Sequence, residues 1–282
     1  MTRYHFRNKL NIDYFALTGT IKENYMASTK EILALAVELA DVMLRNGGEI
    51  YRIEDTVIHI LKAYNVESFD VYVLSNGIFA SANEDKEDSC SMIRHVPLGS
   101  VNLAKIAYLN QVARDLCSHN CTIEEGWERV EKAKNLPPYA NDVQVFFCGL
   151  GSACYAYLFG GAWIDFGFAF IVGVLEQIFL FFLTKHRISR FLRNVFASIF
   201  VAACSILILS TGLPVLHDKI IIGAIMPLVP GITFTTSIRD FHNGDYLSGT
   251  IHLIDALSTA LCIAVGICLT FAVYGYLGGG AF

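Results

Sequence analysis

The sequence predicts an α+β cytoplasmic domain followed by an all-α polytopic membrane domain of about five transmembrane helices. Three observations predict it. The 282 residues are 54% hydrophobic and only 17% charged, which is too apolar for an ordinary soluble chain. Charge is also uneven: residues 1–142 hold 15 of the 21 Lys/Arg and 20 of the 26 Asp/Glu, and residues 143–282 hold six of each sign. Long apolar stretches begin only after residue 142, and residues 1–25 contain no apolar leader. The join falls near Pro137-Pro138, giving a domain at 26–142 and a membrane domain at 143–282.

Residues 1–25 read as a disordered extension or as a start assigned upstream of the true one. Met26 opens the first clean helical pattern. Ser28 or Thr29 caps a helix whose inward face is Ile32, Leu35, Ala36, Leu39, Val42 and Met43, closing at Asn46-Gly47-Gly48. A second helix runs over about 49–64 with Ile53, Val57, Ile60, Leu61 and Tyr64 inward. SFDVYVL then alternates as a strand does, Asn76-Gly77 reads as a two-residue hairpin turn, and IFASA continues the ribbon. EDKEDS is expected as a solvated loop before a strand at Cys90–Val96. Helices follow at about 102–119 and 122–135, the latter opened by the capping-box pattern Thr122-Ile123-Glu124-Glu125.

Five segments then approach the length of about 20 apolar residues that a hydrocarbon core requires. They are 143–160, 163–184, 194–212, 219–238 and 250–277. Gly160-Gly161 makes the first two a tight hairpin. Lys185, Arg187, Arg190 and Arg193 lie between the second and third, and Arg129, Lys132 and Lys134 precede the first, whereas the opposite loops offer only Lys219. The positive-inside rule therefore puts the front domain, the basic loop and the HNGDYLSG loop in the cytoplasm. Small residues such as Gly149, Gly151, Gly167, Gly173, Ser198 and Ala202 allow close helix packing, in a bundle or against a second protein.

The fourth segment is interrupted. Pro227, Pro230 and Gly231 break its helix, and Thr233, Thr235, Thr236 and Ser237 follow before Arg239, Asp240 and Asp245. A break inside a bilayer leaves backbone groups unpaired unless protein or a cavity satisfies them, and transporters build solute sites from such breaks. One proline alone would suggest a tolerated kink; the cluster favours a site or gate. Among ionisable groups in the spans, Glu176 is read as a possible proton carrier or as half of a structural pair. Asp165 and Asp255 suit interfacial positions reaching headgroups or water, and Asp255, with His252 on the same face, is also a candidate for proton coupling.

In the front domain, Gly47, Gly48, Glu49, Tyr51, Arg52, Glu54 and Asp55 gather at a helix–helix junction. An interhelical turn with acids at a helix N-terminus explains much of this run. No G-x-S-x-G, H-E-x-x-H, phosphate loop or paired C-x-x-C is present, so no cofactor or metal is expected. The net charge of −5 argues against nucleic acid, and the eight scattered cysteines suit reduced, packed thiols.

Four stretches resemble the threonine/serine exporter family: NGGEIYRIEDT at 46–56, LSNGIFAS at 74–81 with Asn76, GGAWIDF at 160–166, and PLVPGITFTTSIRDFHNGDYLSG at 227–249. Members of that family come as one long chain of ten spans or as two chains. The resemblance implies that this chain is the larger, five-span subunit of the split form, in a cell (inner) membrane, paired with a short companion membrane protein. It implies export of threonine and serine or, as in similar split systems, of a small dicarboxylate such as succinate. Glu176 lies outside the matching motifs. A homo-oligomer is the other way to supply a missing half, and a membrane-anchored enzyme with a hydrolytic front domain is the alternative function.

Overall fold

The computed structural model describes residues 28–85, 88–97, 99, 101–137 and 139–278; the stretch read as an extension or misassigned start lies outside them. Two helices open the chain, α1 (Thr29–Arg45) and α2 (Ile50–Ala63). Three antiparallel strands follow in the order β1 (Ser68–Leu74), β2 (Gly77–Asp85) and β3 (Asp88–His95). Then come α3 (Leu103–Cys117) and α4 (Ile123–Lys134).

Helix α1 is the axis of this part. Ser28 accepts from the Glu31 amide while Glu31 reaches back, a capping box, and Leu33, Leu35 and Leu39 are fully buried. Truncating any one of those leucines to alanine would cost about 2–5 kcal/mol, because the core around them cannot fully collapse. One face of the sheet packs on α1, while α2, α3 and α4 close the remaining sides. Thr122 and Glu125 form the expected second capping box at the start of α4.

Two local expectations fail. The hairpin turn is Ser75-Asn76 rather than Asn76-Gly77: Leu74 pairs with Gly77, and Val73 with Ile78, so Gly77 is the first residue of β2. Both Val73 and Ile78 are fully buried, so this register places two core side chains opposite one another. Most of EDKEDS is strand, with β2 running to Asp85 and β3 starting at Asp88 around a bulge between Asn83 and Asp85.

The second half is helical: α5 (Asn141–Leu158), α6 (Trp163–Lys185), α7 (Arg190–Leu209), α8 (His217–Ile225), a single 3-10 turn (Met226–Leu228), α9 (Gly231–His242) and α10 (Tyr246–Tyr276). Three of these, α6, α7 and α10, are long and apolar enough to cross a membrane, and a fourth span results if α8 and α9 are taken as one bent crossing. Five were expected. Helix α5 stands where the first was placed, but Asn141, Asp142 and Gln144 in its first turn and Ser152, Tyr155 and Tyr157 further on dilute its apolar character. Helices α7 and α10 each begin four residues earlier than the apolar runs suggested, because Arg190 and the Tyr246–Gly249 turn are already helical.

Small residues set the helix crossings, as packing without a hydrophobic drive requires. A Cβ on Gly173 of α6 would sit 3.1 Å from Gly149 Cα of α5, and one on Gly223 of α8 would sit 2.8 Å from Ala156 N. A Cβ on Gly266 of α10 would meet Val195 O of α7 at 2.6 Å. Gly167, in contrast, faces open space. The apolar cores of the two halves are separate clusters, one spanning Ile32 to Ala133 and the other Val172 to Ile263.

Candidate functional site

The two motif-rich segments meet. Helix α8 ends at Ile225, the 3-10 turn carries Pro227, and α9 restarts at Gly231 after a bend of 58°. Pro227 and Pro230 cannot donate backbone hydrogen bonds, so the ladder has no way through this point. The bend sends α9 along α10, and Arg239 near its end reaches Glu49 of the front half.

On the front side, the chain leaves α1 through Asn46 and Gly47. Gly47 takes φ +79°, and a Cβ there would lie 2.8 Å from Val101 Cγ2, so both backbone shape and space demand glycine. Between these surfaces lies a cavity of about 80 Å³. Leu44, Gly47, Gly48, Ser75, Gly99 and Val101 line it from the front half, and Arg190, Ile232, Thr233, Thr236, His252 and Asp255 from the helical half. That exceeds the roughly 10–15 Å³ that a single water requires.

Polar bonds tie the walls together. Arg190 Nη2 donates to Asp255 Oδ2 at 2.8 Å, joining α7 to α10. His252 Nδ1 lies 2.7 Å from Asp240 Oδ2, joining α10 to α9, and Asp240 is only 3% exposed. Across the junction, Arg239 is ion-paired with Glu49, and the Ser75 amide donates to Ser248 Oγ at 3.2 Å. Ser75, the first residue of the turn, thus bonds the helical half. Glu54 accepts from the Val73 amide at 3.3 Å. Burial pushes the Glu54 carboxyl above the usual carboxylate range; the Val73 amide opposes this and the nearby Asp245 charge adds to it. Asp245 is likewise raised, first by burial and then by Asp240.

The structure thus brings Gly47, Gly48, Thr233, Thr236 and Asp255 to one cavity; Asp240 bonds His252 of its wall, while Glu49, Arg239 and Asp245 do not line it. It does not bring the others there. Thr235 is exposed and bonds its own helix at Gly231 and Ile232. Pro227, Pro230 and Gly231 shape the bend without lining the cavity. Tyr51 is exposed, Arg52 pairs loosely with Glu49 at 3.9 Å, and Asp55 pairs with His59 on the outer face of α2. Asn76 serves the turn, accepting from the Val96 amide.

The three carboxyls singled out in the apolar segments differ in their surroundings. Asp165 was expected at an interface with headgroups or water; instead it is fully buried, because it accepts from the Ala162 amide at 2.7 Å and the Leu216 amide at 2.8 Å. It caps α6 and pins the loop before α8. Asp255 is 16% exposed and pairs with Arg190. Glu176 is fully buried and, among the described residues, neither carboxylate oxygen has a hydrogen-bond partner. Sequence reasoning missed Arg190, Ser75 and Ser248 as site residues. In the sequence Arg190 reads as one of the basic loop residues that set topology, and the two serines become visible only when the halves meet.

The cavity is thus walled by a broken apolar helix and by polar pairs between helices. The chain belongs to the family described as "Putative threonine/serine exporter", whose model matches residues 34–274. It is 24% identical over 248 residues to a "Probable threonine/serine exporter" of Mycobacterium tuberculosis, covering 86% of this chain and 46% of that protein. It is also similar to "Pheromone-regulated membrane protein 10" of Debaryomyces hansenii, at 21% identity over 88% of this chain and 26% of the relative. A third similar protein, uncharacterized, is from Schizosaccharomyces pombe, at 22% identity over 86% of this chain and 34% of the relative. The chain therefore spans between about a quarter and a half of these relatives. No solved structure matches it. Family and apolar helices together make it a multi-pass membrane protein of a transporter family.

Proposed function

We propose that this chain is one subunit of a secondary exporter of small polar metabolites, threonine and serine or a small dicarboxylate, driven by the proton gradient. The observation that carries the proposal is the cavity in which the Gly47-Gly48 turn of the front half meets Thr233 and Thr236 beyond the break. A pocket open to hydroxyls, one guanidinium and one carboxylate suits a small charged solute better than a lipid or a large ligand. The front domain lies on the cytoplasmic side of the cell (inner) membrane under the positive-inside rule, with the cavity at the mouth where an exporter first captures its solute.

Helix α5 acts as the fifth span, despite its polar first turn, because it packs along α6 and α8 through Gly149, Ser152 and Ala156. The proton carrier is Glu176, since a buried carboxyl without a partner is expensive to keep and can take up and return one proton. A short companion membrane protein supplies the remaining helices, and a second copy of this chain is the alternative. In support, only 22% of the α10 membrane window is buried, so most of its apolar surface is left for lipid or a partner. The test is reconstitution in liposomes. Gradient-driven efflux of labelled threonine, serine or succinate that needs both chains supports the reading; robust efflux from this chain alone removes the companion, and no efflux of any of them from the pair removes the exporter assignment.

A further inference from the structure

Arg190 and Asp255 stand out because they are the formally charged cation and anion lining the cavity, and they face it together. Asp255 is largely buried at 16% exposure, whereas Arg190 keeps 42%, and one Nη2 bond of 2.8 Å joins them. A guanidinium carries five N–H donors, so this bond leaves most of the fork for another carboxylate. The other charged wall is occupied: His252 is turned onto Asp240 at 2.7 Å.

We propose that Arg190 and Asp255 form a charge clamp that reads both ends of a zwitterionic solute, the guanidinium taking its carboxylate and Asp255 its ammonium. This rests on reading the cavity as the solute site. The chemistry follows from charge balance. A zwitterion inserts between the pair without changing the net charge of the cavity, and each group exchanges one partner for another. A dianion would need a second cation, and Asp255 would repel it. Thr233 and Thr236 then face the solute side chain with hydroxyls. Of the two solute classes that the family resemblance left open, the pair selects α-amino acids.

The test is equilibrium binding to the purified full chain in nanodiscs, using labelled L-threonine in competition with N-acetyl-threonine, threonine amide and succinate. The clamp predicts that the wild type prefers threonine to each of the three by at least tenfold. Asp255→Asn abolishes the preference over N-acetyl-threonine, which lacks the ammonium, and Arg190→Gln abolishes the preference over threonine amide, which lacks the carboxylate. Arg190→Lys and Asp255→Glu, which keep the charges, retain part of each preference should the neutral variants fail to fold. A wild type that does not discriminate, or variants that keep both preferences, overturns the clamp. Discriminating binding without efflux in the liposome assay leaves the clamp and removes the exporter assignment; efflux without discrimination does the reverse.

Discussion

The guanidinium of Arg239, one turn from the end of α9, is ion-paired with the carboxylate of Glu49, the residue just before α2. The pair joins the helical half to the front half beside the cavity, and Arg239 itself does not line it. Both partners are partly exposed, so the bond contributes roughly 0–1 kcal/mol. Arg239→Lys should therefore transport nearly as the wild type does. Arg239→Ala and Glu49→Gln should each lower export by less than about fivefold, and the double variant should be no worse than either single one. Efflux rates in whole cells check this; a loss in Arg239→Lys as deep as in Arg239→Ala would give Arg239 a direct solute contact instead.

Restoring a continuous helix should close the site. Pro230→Ala with Gly231→Leu returns one backbone donor and a helix-forming residue to the break, so the 58° bend relaxes and carries Thr233 and Thr236 away from Gly47-Gly48. Export should fall at least tenfold while membrane insertion, followed by protease protection of tagged loops, stays normal. Unchanged export would take the break out of the mechanism.

Glu176→Gln is close in volume and removes the titratable group from a site where neither oxygen has a partner. Insertion and thermal stability should be retained, because no bond is lost. Efflux should lose its dependence on an imposed proton gradient and drop about tenfold or more. Wild-type gradient dependence in Glu176→Gln would assign coupling elsewhere.

Contact between the halves should tighten as pH falls. Glu54 and Asp245 both have carboxyls raised above their ordinary range, chiefly by burial, so the docked state binds protons more strongly than the undocked one. The docking free energy thus improves as pH falls through the raised range, and the effect ends near the ordinary carboxylate range of about 4, where both states are protonated. Hydrogen exchange at the Ser75 amide, which donates to Ser248, reports docking directly. After correction for intrinsic rates, its protection should rise as pH falls from neutrality toward the ordinary carboxylate range, and Glu54→Gln with Asp245→Asn should flatten the response. Protection that falls with pH would contradict the assignment.

Much of this architecture was legible in the residues. The apolar period of Ile32 to Met43, the capping boxes at Ser28 and Thr122, and the Pro227-Pro230-Gly231 cluster each act within a few residues of themselves, so local pattern carries them. What local pattern could not carry was decided at a distance. Asp165 resembled an interfacial acid, yet Leu216, 51 positions away, supplies an amide that holds it inside. The NG dipeptide signals a turn, yet the turn is Ser75-Asn76, and Ser75 bonds Ser248, 173 positions away. Arg190 and Asp255 sit 65 positions apart, and nothing in either neighbourhood announces the other.

The most direct test is whether a solute occupies the space between Gly47-Gly48 and α9. Thr236→Cys places a thiol on the cavity wall, and its alkylation by a small charged maleimide can be followed by mass spectrometry of its own peptide, separately from the eight native cysteines. The account predicts that saturating threonine slows modification of position 236 at least fivefold, while a cysteine at the exposed Thr235 reacts at the same rate with or without it. Equal rates at position 236 with and without threonine, serine and succinate would contradict it, and would leave the cavity as a structural gap between the two halves.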